Sequence, residues 1–218
     1  MTTLHLIRHG QTPNNVAGAL DTALPGAGLT DLGMRQAEDL VRRFDGTPLD
    51  RVVSSAHRRA VLTAAPLTRA RALEPLQDEG FGEVGAGDLE MMTTHESHMT
   101  YLTTVFDWSE GELDERMPGG PDGHSVLARY EAAIARAVEG LADDAAVAVV
   151  SHGAVIRLWA TSQASGITPK DAEHKRLLNT AVVTLEGRPG DWRFVGWDDP
   201  NIVDAGASDP TADAEDDD

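Results

Sequence analysis

The chain contains no cysteine, few basic residues and no long apolar run. Without cysteine it can form no disulfide, thiol nucleophile or thiolate metal site. Its 18 basic residues stand against 36 acidic ones, for a formal net charge of -18. Such a chain lacks the basic surface that a nucleic-acid backbone attracts, so we expect no nucleic-acid partner. No apolar stretch approaches the roughly 20 residues of a membrane-spanning helix, so we expect no membrane partner either.

Length and composition indicate one folded domain. The 218 residues can bury a substantial core, and 41% of them are hydrophobic. We predict a single domain over residues 1–203 and an acidic disordered tail over residues 204–218, which has too little apolar surface to fold. The first strand-like run begins almost at the N-terminus and leaves no room for a secretory signal, so we expect a cytoplasmic protein.

Two short apolar runs each end in a histidine that is followed by a glycine. His9 follows the run at residues 4–7, and His152 follows the run at residues 145–150. Both runs are short and β-prone, as buried parallel strands are. The carboxyl ends of such strands border the ligand crevice of an open α/β sheet, so we expect both histidines in one site. The glycines would let the backbone turn and approach a ligand closely.

Hydrophobic spacing predicts helices between the strands. Thr30 is expected to cap a helix that ends near residues 46–48. A second helix should begin near Ala56, carry Arg59, and end or kink at Pro66. Further predicted elements are a long helix around residues 126–141, a helix over about 154–162, and strands over 181–185 and 192–197.

The segment from about 90 to 123 interrupts this alternation. It combines a helical stretch around residues 99–106 with a loop at residues 117–121. We expect it to be the lid and specificity element of the domain.

Four motifs follow one another along the chain in a recognisable order. They are Arg8-His9-Gly10-Gln11-Thr12 with Asn15, Leu29-Thr30-Asp31-Leu32-Gly33, Ser54-Ser55 with Arg59-Ala60, and Ser151-His152-Gly153. This succession resembles the histidine phosphatase superfamily in its phosphoglycerate mutase-like branch, from about Leu4 to about Val183, and chance rarely produces the same order and spacing at four sites. The resemblance implies an α/β fold, a three-layer α/β/α sandwich with a mostly parallel central sheet.

Four of these side chains suit catalysis on a phosphate monoester. Arg8 and Arg59 offer planar donor forks that match phosphate oxygens. His9, neutral at one nitrogen, could attack phosphorus and carry the phosphoryl group, with a backbone carbonyl fixing its tautomer. His152, if protonated beside the bound dianion, would neutralise the equatorial oxygens. The resemblance assigns all four to the phosphate pocket.

Further contacts with phosphate or substrate are expected from three residues. Asn15 matches a phosphate ligand of the family, although the same residue type also caps loops. Thr12 belongs to the first motif. Gly153 opens a helix whose backbone amides suit an anion.

The resemblance implies a glutamate as the acid that protonates the leaving group. Glu83 fits best, because it precedes Ala86, Gly87 and Glu90 with the spacing of the family motif. Asp78 and Glu79 are the alternatives. Leu89-Glu90-Met91 departs from the Trp-Glu-Gly of many members, which we expect to alter the pocket wall.

We predict a metal-independent phosphomonoester hydrolase that acts on a small phosphorylated metabolite through a phosphohistidine. The alternative is a phosphoglycerate mutase-type phosphoryl transferase, disfavoured because Arg116 is the one arginine or lysine between Glu83 and Gly120. In addition, Pro121-Asp122 replaces the Glu-Ser of a family loop. A more remote alternative is a non-catalytic phosphate-binding scaffold. The resemblance is also compatible with a homodimer.

A metal-dependent hydrolase is the competing enzyme class, because His95, Glu96 and His98 could share a helix face. Their spacing lacks the four-residue separation of a zincin helix, and no third ligand is evident, so we expect no metal and no cofactor. Three further histidines, His5, His57 and His174, are expected to be packing or surface residues.

Overall fold

The computed structural model describes residues 1–173 and 175–202, and its centre is a seven-stranded sheet in the order β3-β2-β4-β1-β6-β7-β5. The pairs β3–β2, β2–β4, β4–β1 and β7–β5 are parallel, and the pairs β1–β6 and β6–β7 are antiparallel. The predicted mostly parallel sheet is therefore confirmed. The strands are β1 (Thr2–Arg8), β2 (Arg51–Ser54), β3 (Leu76–Gln77), β4 (Ala146–Ser151), β5 (Ala164–Ser165), β6 (Val182–Arg188) and β7 (Asp191–Asp198).

Helices cover both faces of the sheet. Along β4, Val147 and Val149 join one hydrophobic cluster, whereas Ala148 and Val150 join another. Because alternate residues of a strand point to opposite faces, the two clusters lie on opposite sides of the sheet. The helices are α1 (Pro13–Ala17), α2 (Asp31–Arg43), α3 (Arg58–Arg71), α4 (His95–Glu110), α5 (Gly123–Val138), α6 (Gly153–Gln163) and α7 (Pro169–Glu173). Helices α2 and α3 form the smaller layer and α4, α5 and α6 the larger, which confirms the three-layer sandwich.

Local sequence explains where most helices begin and end. The side chain of Thr30 accepts a hydrogen bond from the Gly33 amide and caps α2, as predicted. Helix α3 begins at Arg58 and continues through Pro66 to Arg71, so Pro66 does not end it, and a kink at Pro66 stays a prediction. Proline removes one hydrogen bond of the helix, but Leu67 is fully buried after it, and its packing holds the next turn in place.

The segment from 90 to 123 is built into the body of the domain. Its helix, α4, packs on α6 and buries Tyr101 and Trp108. The Trp108 indole N–H donates to the Glu115 carbonyl, which ties the following loop to the helix. A lid function for this segment stays a prediction.

Among the described residues, no helix is long and apolar enough to cross a membrane. The predicted tail, residues 204–218, and His174 lie outside the described residues.

Candidate active site

The sheet register brings the two motif histidines together. β1 and β4 are adjacent and parallel, and Arg8 lies opposite Ser151. His9 and His152 therefore leave the same edge of the sheet side by side, with ring centroids 5.2 Å apart. Both side chains are buried. The prediction that two strands deliver two histidines to one place is confirmed.

A backbone carbonyl sets the tautomer of His9. Its Nδ1 lies 2.8 Å from the Gly10 carbonyl oxygen, which can only accept, so Nδ1 carries the proton and Nε2 the lone pair. Burial, followed by the charges of Arg59 and Arg8, holds the pKa of His9 well below its usual value. His9 is therefore neutral near pH 7, with an unprotonated Nε2.

Two buried arginines flank His9. Arg8 is the last residue of β1, and its guanidinium donates to the Leu177 carbonyl at 2.6 Å. Arg59 lies in the first turn of α3 and donates from Nη2 to the Asp21 carbonyl at 2.9 Å. Burial lowers the pKa of Arg59, while Asp21 and Glu83 oppose this effect.

An acidic residue that the sequence analysis did not single out pairs with one arginine. A carboxylate oxygen of Asp21 lies 3.5 Å from Arg59 Nη1. The same carboxylate accepts from the Asn14 side-chain amide at 2.8 Å and from the Ala27 backbone amide at 2.9 Å. Asp21 therefore holds the Arg59 guanidinium in place. It belongs to no motif, so no sequence signal marked it.

His152 is fully buried and bonded on one side. Its Nε2 lies 2.9 Å from the Ser55 hydroxyl, while its Nδ1 has no hydrogen-bond partner among the described residues. Burial, then the charges of Arg59 and His9, hold the pKa of His152 well below its usual value. The ring is therefore neutral in the ligand-free pocket, and the negative charge of a bound anion would favour its protonation.

Glu83 occupies the start of α6. One carboxylate oxygen, Oε1, accepts from the amides of Val84 at 2.8 Å and Val155 at 2.9 Å, and Oε2 accepts from the Ala154 amide at 3.1 Å. The amides that follow Gly153, which we had expected to face an anion, thus already bind the carboxylate of this chain. A helix N-terminus attracts any nearby anion, and Glu83 is held next to it.

The other two acids considered for the same role lie farther out. Asp78 forms an ion pair with Arg136, with N–O distances of 2.7 and 2.9 Å, and this hydrogen bonding lowers the pKa of Asp78. Glu79 is exposed to solvent. Of the three acids, Glu83 is the one that contacts the helix following His152.

Sequence comparison identifies the family that shares this pattern of residues. The family model described as histidine phosphatase superfamily (branch 1) matches residues 4–200. The chain belongs to this superfamily. The resemblance recognised in the motifs is thereby confirmed, and so is the enzyme class, a histidine phosphatase.

Relatives of this histidine phosphatase cover most of its length. A PE-PGRS family protein of Mycobacterium tuberculosis is 30% identical over 230 residues, 96% of this chain but 38% of that protein. The chain thus spans well under half of that relative. The adenosylcobalamin/alpha-ribazole phosphatase of Salmonella typhimurium is 30% identical over 159 residues, 71% of this chain and 76% of that protein.

A solved structure has the same architecture as this histidine phosphatase. It is that of a mycobacterial glucosyl-3-phosphoglycerate phosphatase in complex with VO3, with 26% identity and a TM-score of 0.75. The match covers 90% of this chain and 98% of the other. The fold is therefore the phosphoglycerate mutase-like sandwich that the motifs implied.

Thr12 and Asn15 cap a helix at the edge of the site. The Thr12 hydroxyl accepts from the Asn15 amide and Asn15 Oδ1 accepts from the Thr12 amide, each at 3.0 Å. The Asn179 side-chain amide also donates to Asn15 Oδ1 at 3.3 Å and to the His9 carbonyl at 3.1 Å. The capping alternative for Asn15 is thus observed, and phosphate contacts of Thr12, Asn15 and Gly153 stay predictions. Asn179 was missed because it lies outside the motifs.

A cavity of about 800 Å³ opens beside Glu83 in this phosphatase. Its wall includes Thr22, His57, Glu83, Pro121, Arg129 and Arg136. Arg129 donates to the carbonyls of Gly80 at 2.7 Å, Gly82 at 2.8 Å and Glu83 at 3.1 Å. Arg129 and Arg136 both belong to α5. They therefore lie outside the segment between Glu83 and Gly120, whose small number of basic residues was the argument against a mutase.

Arg116, the one basic residue of that segment besides histidines, is not among the residues that line this cavity. It forms an ion pair with Asp122 at 2.8 Å. The cavity wall is therefore less acidic than the segment alone indicated, although Arg129 and Arg136 are both engaged with protein groups.

Glu90, the second glutamate of the motif around Glu83, holds a loop over the pocket. One oxygen accepts from the amides of Thr22 at 2.9 Å and Ala23 at 3.0 Å, and the Thr22 hydroxyl donates to the other oxygen. The Thr22 hydroxyl in turn accepts from the Ala86 amide at 2.9 Å. Glu90 thus shapes the wall, and its place in the motif was the available signal.

The glycine after His9 is required by protein packing. A Cβ on Gly10 would lie 2.7 Å from the Gly33 carbonyl oxygen, so α2 can pack here only against a residue without a side chain. Close approach of a ligand to Gly10 stays a prediction.

Three of the other histidines, His5, His57 and His98, form contacts that bear on their predicted roles. His5 lies in β1, and its Nδ1 is 3.0 Å from the Thr184 hydroxyl. Burial lowers the pKa of His5 to about 4, which agrees with the predicted packing residue. His98 Nε2 donates to the Gly18 carbonyl at 2.7 Å, and the described part of the chain contains no group of three or more side chains placed to hold a metal. His57 is buried, as expected of a packing residue, and its ring contacts His152 at a centroid distance of 4.5 Å.

Proposed function

We propose that the protein is a metal-independent phosphomonoesterase that hydrolyses a small phosphorylated metabolite through a phosphohistidine on His9. The observation that carries the proposal is the free Nε2 lone pair of His9 between two buried arginines. Phosphate esters resist attack because their negative charge repels nucleophiles, and Arg8 and Arg59 supply the positive charge that offsets it. A metal is not needed for that task.

In the first step, His9 Nε2 attacks phosphorus in line with the leaving oxygen. A P–N bond forms, the P–O bond to the alcohol breaks, and the leaving alkoxide takes a proton from Glu83. His152, protonated once the dianion is bound, neutralises an equatorial oxygen with the two arginines. The products are phosphohistidine, the free alcohol and an ionised Glu83.

In the second step, water attacks the phosphohistidine. The Glu83 carboxylate removes a proton from the water as the new P–O bond forms and the P–N bond breaks. Inorganic phosphate leaves, His9 is neutral again and Glu83 is protonated for the next cycle. Oε1 of Glu83 accepts two amide hydrogen bonds and Oε2 accepts one, so Oε2 has more free capacity to exchange a proton with the substrate.

Two observations support hydrolysis over phosphoryl transfer to a second substrate position. Arg129 and Arg136, the arginines on the cavity wall, are committed to backbone carbonyls and to Asp78. A mutase needs cationic groups for the second phosphate of its intermediate. Two of the relatives named above are a glucosyl-3-phosphoglycerate phosphatase and an adenosylcobalamin/alpha-ribazole phosphatase, although a Proteus mirabilis relative, 25% identical, is named a probable phosphoglycerate mutase. A mutase is the second candidate and an inactive scaffold a remote third.

The proposal is tested by trapping the intermediate. After brief incubation with a ³²P-labelled phosphomonoester, native protein should carry acid-labile, alkali-stable phosphate, and the His9→Ala variant should carry none. Label on His9→Ala would refute the assignment of the nucleophile. Release of inorganic phosphate without a second phosphorylated acceptor distinguishes a phosphatase from a mutase, and no label with no release would indicate the scaffold.

Three accompanying predictions need separate measurements. We expect full turnover in excess chelator, and activity that is lost and then restored by zinc or magnesium would favour the metal-dependent class. The cytoplasmic location and the homodimer stay predictions, to be checked by cell fractionation and by sedimentation.

A further inference from the structure

A chain of hydrogen bonds leads from the cavity wall to His152. His57 Nε2 lies 2.9 Å from the Thr22 carbonyl oxygen, and His57 Nδ1 lies 2.9 Å from the Ser55 hydroxyl. The same hydroxyl lies 2.9 Å from His152 Nε2. All three side chains are at least 96% buried, since His57 is 4% exposed and Ser55 and His152 are 0% exposed. The chain is therefore shielded from water.

The chemistry of the end groups fixes every proton in this chain. The Thr22 carbonyl can only accept, so His57 Nε2 carries a proton. His57 is neutral, because burial and the charge of Arg59 lower its pKa, with Asp21 opposing and Arg129 assisting, so its Nδ1 is an acceptor. The one hydroxyl proton of Ser55 is then donated to His57 Nδ1.

The direction of that bond determines the state of His152. Ser55 has no second proton to donate, so its oxygen must accept from His152 Nε2–H. A neutral His152 with a proton on Nε2 has its lone pair on Nδ1. That nitrogen has no partner among the described residues, and an unsatisfied buried nitrogen calls for an explanation.

We propose that His57 is a positioning residue which, through Ser55, fixes the Nε2–H tautomer of His152 and reserves Nδ1 for the proton that is taken up with the substrate phosphate. This role for His57 rests on the proposed function. It gives a task to a histidine that takes no part in the phosphoryl-transfer steps themselves. In this proposal His57 acts on His152 through Ser55 and not on the phosphoryl group itself.

The reverse arrangement shows why His57 matters. A protonated His57 would donate from Nδ1 to Ser55, Ser55 would donate to His152 Nε2, and the proton of neutral His152 would move to Nδ1. The groups that act on the charge of His152 are Arg59, His9, His57 and Arg129, all of them basic. A dianion in the pocket is what makes a second proton on His152 favourable.

The tautomer can be measured directly by ¹⁵N NMR on the intact, ligand-free protein. At pH 7.5 we expect His152 to show a pyrrole-type Nε2 and a pyridine-type Nδ1, with both nitrogens protonated after addition of inorganic phosphate. A native His152 with its proton on Nδ1 would overturn the proposal. This measurement involves no turnover. The tautomer can therefore be wrong while the phosphohistidine assignment holds, and the phosphohistidine assignment can be wrong while the tautomer is as proposed.

Variants distinguish positioning from mere packing. His57→Leu fills the space but offers Ser55 no acceptor, so Ser55 should donate to His152 Nε2 instead. The Nδ1–H tautomer of His152 should then dominate, and kcat/KM should fall about 10-fold. His57→Asn, whose Oδ1 can accept from Ser55, should recover most of the activity and the native tautomer. His5→Leu removes a histidine that also contacts a hydroxyl but lies away from the site, and should leave the activity and His152 signals unchanged. Native His152 signals in His57→Leu would contradict the proposal.

Discussion

The floor and the wall of this active site are built in different ways. We define the floor as Arg8, His9, Arg59 and His152, and the wall as Thr22, Glu83, Pro121, Arg129 and Arg136. The floor stands on the ends of two adjacent strands and the first turn of α3, and its groups are fully or almost fully buried. The wall comes from loops and from α5, and it borders an open cavity.

This difference separates two tasks. The floor groups are held by nearby backbone, such as the Gly10 carbonyl for His9 and the Asp21 carbonyl for Arg59. In the proposed mechanism they act on the phosphoryl group, which every phosphomonoester shares. In that mechanism the wall surrounds the part that differs between substrates, and Glu83 in the wall protonates the leaving group. Damage to the floor should therefore affect all substrates alike, and damage to the wall should depend on the leaving group.

The largest effect is expected from Arg59→Gln in the floor. Loss of a buried guanidinium beside the transferring phosphoryl group should lower kcat/KM by about 10³–10⁵-fold, the contribution of a catalytic arginine to phosphoryl transfer. The loss should be equal for an alkyl phosphate and for nitrophenyl phosphate, measured by phosphate release. Neighbouring Arg58 is exposed, and Arg58→Gln is the matched control with near-native activity. An Arg59 effect on only one substrate would show that the residue belongs to the wall.

The next effect concerns Glu83→Gln in the wall. Cleavage of an alkyl phosphate, whose leaving alkoxide is strongly basic, should fall by about 10²–10⁴-fold. Nitrophenyl phosphate leaves as a stabilised anion and should lose much less. Glu79→Gln changes an exposed residue nearby and should have little effect.

The ratio of kcat/KM for the two substrates distinguishes loss of the acid in Glu83→Gln from general damage to the site. In the native protein the Ala154 N–H donates to Oε2 of Glu83. A glutamine side-chain NH₂ at that position cannot accept this hydrogen bond, which would weaken the start of α6. That damage would lower both activities together. Equal losses, or a selective loss in Asp78→Asn instead, would assign the acid elsewhere.

A smaller effect is expected from Arg129→Met. This change removes donors to the carbonyls of Gly80, Gly82 and Glu83, so the loop that presents the acid should shift. We expect alkyl phosphate cleavage to fall by about 10–10²-fold, as for a small misplacement of a catalytic group, and nitrophenyl phosphate cleavage to fall less. Arg136→Gln, on the same helix but bonded to Asp78, is the control and should not change the substrate ratio. An unchanged ratio in Arg129→Met would remove Arg129 from the positioning of Glu83.

The floor could be predicted from sequence far better than the wall. His9 and His152 follow apolar runs whose strand character is local, and adjacent parallel strands must bring their ends together. The wall depends on contacts between distant parts of the chain: Arg129 reaches the Glu83 carbonyl across 46 residues of sequence. On α5 it looks like any surface arginine of an amphipathic helix.

His57 and Glu83 show the same limit in the details. A histidine at the start of α3 has no pattern that marks it, because its importance comes from Ser55, which meets His152 across 97 residues. Motif spacing selected Glu83 from three acids. It could not show that the carboxylate would occupy the helix start that was expected to receive phosphate.

The smallest effect concerns stability, and it arises from His5, outside both floor and wall. Its folded-state pKa, about 4, lies below the ordinary value of 6.5 because of burial, so the unfolded chain binds a proton there that the folded protein does not. Stability therefore falls as pH drops from about 6.5 towards 4, and for His5 the loss at pH 5 should be about 2 kcal/mol. His5→Gln, which cannot titrate, should show a smaller decrease in unfolding free energy between pH 7.5 and pH 5 in urea titrations. Its kcat/KM at pH 7.5 should remain native. The same pH dependence in His5→Gln and native protein would mean that His5 is protonated in the fold as readily as in the unfolded chain.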